Sequence, residues 1–172
     1  MAKGNVKDTF ANVAAVRVIE SAANTQTSVK FDFPFSIMDK MALIISRIEY
    51  WTASLTPFAG AGDALYLALT AASSITNLAS QNDPLVIDSH IKTLAFFGTA
   101  ANGQVIEGPY IKDFSNLPGG GLLVAPNPLY AMAQGISLGG VSDNWIKVFY
   151  THVELSTDEY WQLVESRRVI SS

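Results

Sequence analysis

The chain has two histidines, and each stands two residues from a carboxylate. Asp88 and His90 occur in DSH; His152 and Glu154 occur in THVE. On a β-strand, residues i and i+2 point to the same face. Each pair can therefore present an imidazole nitrogen and a carboxylate oxygen side by side. If the fold brought both pairs together, His90, His152, Asp88 and Glu154 would form the ligand set of a non-haem metal centre.

Other chemistry has less support. Metalloenzymes of the cupin type place their metal on jelly-roll strands, but their motif has two His separated by one residue. Neither HIK nor HVE supplies the second His. Three consecutive glycines, Gly119 to Gly121, invite comparison with a phosphate loop. Such a loop needs a following helix, usually with Lys and Ser or Thr; here LLVAP follows. The glycines instead suit a turn that needs positive φ and close backbone approach. There is no G-x-S-x-G nucleophile elbow, and no spacing singles out a carboxylate pair for glycoside hydrolysis. Aromatic residues such as Tyr50, Trp51, Tyr66 and Trp145 could stack on sugars in a carbohydrate-binding or adhesion sandwich, but aromatics more often fill cores and interfaces. The expectation is a protein without a cofactor and without an enzymatic activity.

Composition points the same way. The chain has 172 residues, enough for one domain with a full core. It has no Cys, which excludes a disulfide framework and a thiolate metal site. A net charge of −4 argues against a dedicated nucleic-acid binder. Only 15% of residues are charged, against about 25% in ordinary soluble domains. Asp113 and Asp143 bracket 29 residues without a charge. That stretch holds three prolines and six glycines, which a lipid-spanning helix would not accommodate. FANVAAVRVI is interrupted by Arg17 and does not read as a secretory signal. A surface this poor in charge is expected to be covered by other copies of the chain.

The elements that must position these residues are strands. TSVKFDFPF alternates with period two, placing Val29, Phe31 and Phe33 on one face. MALIISRIEYWTASL separates Arg47 and Glu49 from Ile48 and Tyr50. ALYLALTAA sets Leu65, Leu67 and Leu69 against Tyr66 and Ala68. LVIDSHIKTLAFFG, VIEGPYIKDF, GLLVAP, PLYAMAQGIS and WIKVFYTHVEL complete eight predicted strands. Eight short strands with Gly, Pro and Asn at their turns predict an all-β fold, an eight-stranded single jelly-roll sandwich. A short C-terminal helix follows. In LSTDEYWQLVESRR, Ser156 and Glu159 form a capping box, Arg167 and Arg168 suit the last turn, and Tyr160, Leu163 and Val164 make an apolar stripe. The predicted division is an N-terminal arm at 1–26, a jelly-roll domain at 27–155, and a helix and tail at 156–172.

With the run DFSNLPGGGLLVAPNPLYAMA and the closing strand VFYTHVELSTDEYW, this layout resembles the single jelly-roll capsid proteins of icosahedral viruses and phages. The resemblance implies self-assembly into a closed shell, a place in the virion, and other copies of the chain as partners. It leaves room for a second capsid protein and for an internal membrane. Coat proteins that package RNA directly often carry an Arg/Lys-rich arm. Here the first 26 residues hold only Lys3, Lys7 and Arg17 against Asp8 and Glu20, so direct nucleic-acid binding is expected to be weak or absent. Phe58, Leu117, Leu122, Leu123, Pro126 and Tyr130 are the expected core or assembly-interface residues.

Overall fold

The computed structural model describes residues 5–6, 11–33, 40–53, 58, 60, 62–76, 78, 83–93, 108–125 and 128–170; of residues 5, 6, 164 and 166–170 it describes the backbone alone. Among the described residues, ten strand segments and one helix follow in order. They are β1 (Asn5–Val6), β2 (Asn12–Ile19), β3 (Thr27–Lys30), β4 (Met41–Thr52), β5 (Ala64–Thr70), β6 (Val86–Thr93), β7 (Tyr110–Asp113), β8 (Leu122–Val124), β9 (Tyr130–Ile136), β10 (Asp143–Glu154) and α1 (Thr157–Ile170).

These ten segments fill eight ladder positions in two antiparallel sheets. In the first sheet β1 and β2 share one edge of β10, β10 pairs with β4, and β7 and β8 share the far edge of β4. The second sheet runs β3–β9–β5–β6. The pairing is nested. β2 pairs with β10, β3 with β9, β4 with β8, and β5 with β6. β10 then joins β4, and β9 joins β5. A chain folded in half and rolled into two sheets in this way is a jelly roll.

All eight strands expected from the sequence form, as β3 to β10. Two details depart from expectation. First, the stretch 1–26 is not all arm, because Asn12–Ile19 pairs along its whole length with β10. Ala14, Val16 and Val18 turn toward the core while Val13, Arg17 and Ile19 turn outward. Asn5–Val6 pairs with the far end of β10 as well, so the sheet takes in strands well before residue 27. Second, β3 ends at Lys30, although the Phe31 N–H still donates to the Leu129 carbonyl at 2.8 Å.

The core lies between the sheets. Ile45, Ile48, Tyr50, Ile146 and Val148 of the first sheet meet Leu65, Leu67, Leu69, Ala131 and Ala133 of the second. β4 carries a bulge, because Phe149 pairs with Arg47 while Tyr150 pairs with Ile45, which leaves Ser46 extra. The bulge resets the alternation: Leu43 and Ile45 point inward before it, Ile48 and Tyr50 after it. At the end of the sandwich, Tyr160 packs with Ala125, Leu155 and Leu163. The capping box forms: the Ser156 N–H donates to Glu159 Oε2 at 3.0 Å and the Glu159 N–H donates to Ser156 Oγ at 3.3 Å. The side chains of Val164, Arg167 and Arg168 lie outside the described residues.

Candidate functional site

The four candidate ligands do not converge. Asp88 and His90 lie on β6, His152 and Glu154 on β10. His90 packs near Tyr50, at 6.0 Å between ring centroids, and Tyr50 pairs with Ile146. His152 lies six residues further along β10, about 20 Å away at ~3.3 Å per residue. It packs edge-on against Tyr150 instead. Among the described residues no group of three His, Asp or Glu is placed to hold a metal ion.

Asp88 and His90 share one face, as their spacing requires, and the fold uses them to join the sheets. The buried Asp88 accepts a hydrogen bond from the Tyr50 hydroxyl at 2.8 Å and pairs with the Lys112 ammonium. Tyr50 and Lys112 belong to the opposite sheet. His90 stacks on Tyr110 of β7, 3.9 Å between centroids and 8° from parallel. Burial, and then the Asp88 carboxylate, push the Tyr50 hydroxyl pKa well above its ordinary value. Tyr50 therefore stays a neutral donor. A hollow of about 200 Å³ lined by Val86, Ile87, Asp88, Ser89 and Lys112 lies beside this clamp.

The glycine run is a corner. Gly119 and Gly120 have φ of 90° and 82°. A Cβ on Gly121 would lie 2.5 Å from the Ile45 carbonyl oxygen. This is the close approach that lets β8 pair with β4.

The outer faces of the two sheets differ. Ala68 and Met132, on the outer face of the second sheet, are covered by Ile75 and Leu78 of the chain between β5 and β6. That cover is fastened to the neighbouring β3 region. The Gln26 side chain donates to the Ile75 carbonyl at 2.9 Å and accepts from the Ile75 N–H at 3.1 Å.

The outer face of the first sheet stays open. The register lines its residues up in rows: Arg17–Trp145–Trp51, Ala15–Lys147–Glu49–Ile111, Val13–Phe149–Arg47–Asp113, and Thr151–Ile44–Leu123. Val13, Trp51, Ile111, Leu123 and Trp145 are between 42% and 52% exposed. Charges thread between the apolar groups and pair with one another. Arg17 binds both oxygens of Asp143, at 2.9 and 2.6 Å. Glu49 lies between Arg47 at 3.1 Å and Lys147 at 3.4 Å. The Arg47 guanidinium sits 3.9 Å from the Phe149 ring centre. A hollow of about 300 Å³ opens there, lined by Ala11, Ser46, Arg47, Asp113, Ser115 and Phe149.

The residues expected in the core or an interface sort into different places. Phe58 is buried in the core, and Leu122 packs against it. Tyr130 is half-buried at the start of β9. Leu117 is exposed in the turn before the glycines, and Leu123 belongs to the open face. Pro126 lies outside the described residues. The alignment of Trp51, Trp145, Ile111 and Val13 on one face was not among the expected features. The signal was present: the strand segments read Val13-x-Ala15-x-Arg17, Arg47-x-Glu49-x-Trp51 and Trp145-x-Lys147-x-Phe149, with bulky groups on the face opposite the core.

Among the described residues no helix is long and apolar enough to cross a membrane. No protein-family model and no curated protein matches the chain. Among solved structures, the chain is similar to VP1 of Trichodysplasia spinulosa-associated polyomavirus, solved in complex with GM1 oligosaccharide. The match has a TM-score of 0.51 at 5% sequence identity and covers 89% of this chain and 98% of that one. With its two sheets and nested pairing, the chain has a jelly-roll fold, in keeping with that similarity.

Proposed function

We propose that this protein is a coat subunit that self-assembles into a closed viral shell. The observation that carries this reading is the open outer face of the first sheet. The sandwich completes its core and covers Ala68 and Met132 on its second sheet, yet leaves two tryptophans and three aliphatic side chains in water on the outer face of the first. Burial of such a surface contributes about 25 cal/mol per Å² to association. Closed symmetry then multiplies modest contacts into a stable particle. The 15% charged fraction and the capsid-type fold support the same reading. In this reading other copies are the primary partners, and the protein acts in the virion without catalysis. Light scattering and negative-stain electron microscopy of the purified protein test it. Closed particles, or capsomers that convert to them, are expected. A protein that stays monomeric at every concentration and salt condition refutes the reading.

A second reading rests on the exposed Trp51–Trp145 pair, which could serve as a stacking platform for a glycan. Glycan binding by a discrete species that never forms particles would favour it over the shell.

A further inference from the structure

We infer that the outer face of the first sheet, formed by β2, β10, β4, β7 and β8, is the surface through which one copy of the chain docks on another. This rests on the coat reading and names the surface responsible.

Three features select a second copy as the occupant. The first is charge. Among the described residues the face carries Arg17, Arg47 and Lys147 against Asp143, Glu49 and Asp113, three groups of each sign. A nucleic acid or an anionic bilayer calls for a basic surface, whereas a neutral face of mixed sign suits a neutral face of mixed sign. Most of these charges are already satisfied within the subunit. Arg17 is bound to Asp143, Glu49 to Arg47 and Lys147, and Asp113 accepts the Ser115 N–H at 2.8 Å. Covering the face therefore buries matched pairs rather than lone ions.

The second feature is size. Four ladder positions at about 4.8 Å, each about eight residues long at about 3.4 Å per residue, project roughly 500 Å². Side-chain relief raises the accessible area above that projection, toward the ~800 Å² that each partner contributes to a standard interface. A short peptide or a single sugar would leave most of it wet.

The third feature is the contrast with the other sheet. There the chain supplies its own cover, Ile75 and Leu78 over Ala68 and Met132. Among the described residues the face with the larger aromatic groups receives no such cover, and Trp145 lies directly opposite Trp51 across the β10–β4 ladder. Paired aromatics flanked by Arg are the composition of an interface centre.

Two measurements on the full chain test this. Trp51 and Trp145 are two of the three tryptophans, and Trp161, exposed on the helix, is the third. In a Trp161→Phe background, iodide quenching reports on the face alone. Quenching should fall at least about threefold when subunits assemble. The second measurement is sedimentation of Trp145→Glu, with Ile91→Glu, exposed on β6 on the outer face of the other sheet, as control. Because an unpaired charge inside an interface is costly, Trp145→Glu should weaken association by about 100-fold or more, with a native circular dichroism spectrum, while Ile91→Glu assembles like wild type. Assembly without protection of Trp51 and Trp145 overturns the inference and leaves the coat reading intact. Wild-type assembly by a folded Trp145→Glu variant does the same. A wild-type chain that never assembles overturns both. Saturable glycan binding that is blocked by Trp145→Glu, with no oligomer formed, assigns the face to a carbohydrate instead.

Discussion

The two outer faces of this sandwich begin from similar strands and end differently. On the second sheet the outward residues include Ala68 and Met132, and the segment between β5 and β6 lies over them. β5 is consequently buried on both sides for nearly its whole length. On the first sheet the outward residues are Trp51, Trp145, Phe149, Ile111 and Val13, interleaved with ion pairs. Small groups let the chain close over itself, so that face adds to folding stability. Large groups beside paired charges tolerate water in the free subunit and keep their apolar area for association.

The strongest way to break this comparison is to truncate one leucine on each face. Leu78→Ala removes a fully buried side chain from the covered face and should cost about 2–5 kcal/mol of stability. Leu123→Ala removes a half-exposed one and should cost about 0.5 kcal/mol or less. Urea denaturation of the free subunit measures both. Leu123→Asp extends the test: the variant should fold and fail to assemble. Equal stability losses at Leu78 and Leu123 would show that the open face is part of the folding core.

The corner that joins the sheets on the β2 side gives the next largest effect. Glu20 is buried, and its carboxylate accepts the Gly135 N–H at 2.7 Å and the Ser142 N–H at 2.9 Å. Glu20→Ala leaves two buried donors without partners and should cost about 2–4 kcal/mol. The clamp at the opposite edge is lighter. Tyr50→Phe leaves one oxygen of Asp88 short of a donor while Lys112 still holds the other. The expected loss is about 1–3 kcal/mol, visible as a lower melting temperature. Neither change touches the open face, so assembly of the folded variants should survive. Loss of assembly at full stability would mean that these corners shape the docking surface.

Much of the fold was legible in the chain. Leu65, Leu67 and Leu69 alternate as a buried strand must, and Ser156 with Glu159 announces the helix start. The glycine corner was legible too: positive φ at Gly119 and Gly120 and close approach at Gly121 follow from the absence of a Cβ. Other features were not, for physical reasons. β2 was missed because Ala14, Ala15 and Arg17 dilute its alternation, and pairing with β10 rather than intrinsic preference holds it in the sheet. The β4 bulge at Ser46 depends on register against β10, which no local pattern encodes. The site was harder. Spacing placed Asp88 and His90 on one face, but their partners Tyr50, Lys112 and Tyr110 come from strands distant in the chain. Trp51 and Trp145 are almost a hundred residues apart, and only the ladder makes them neighbours.

The smallest effect concerns the ion pair at the rim of the open face. The hydrogen bond from Arg17, aided by its positive charge and opposed by slight burial, holds the Asp143 carboxyl below the usual carboxylate range. A lowered folded-state pKa means that the folded chain binds fewer protons than the unfolded chain in this region. The stabilisation is therefore present above the unfolded value of about 3.9 and is lost as pH falls through the lower folded value. Asp143→Asn should lower the melting temperature slightly at pH 6, and the gap to wild type should close as the pH falls below about 4. Exposed pairs are also screened by salt. In the free subunit, then, the gap at pH 6 should shrink in concentrated sodium chloride. In assembled particles it should persist, because a docked copy would exclude solvent from Arg17 and Asp143. A gap that shrinks equally in both states would place the Arg17–Asp143 pair outside the contact.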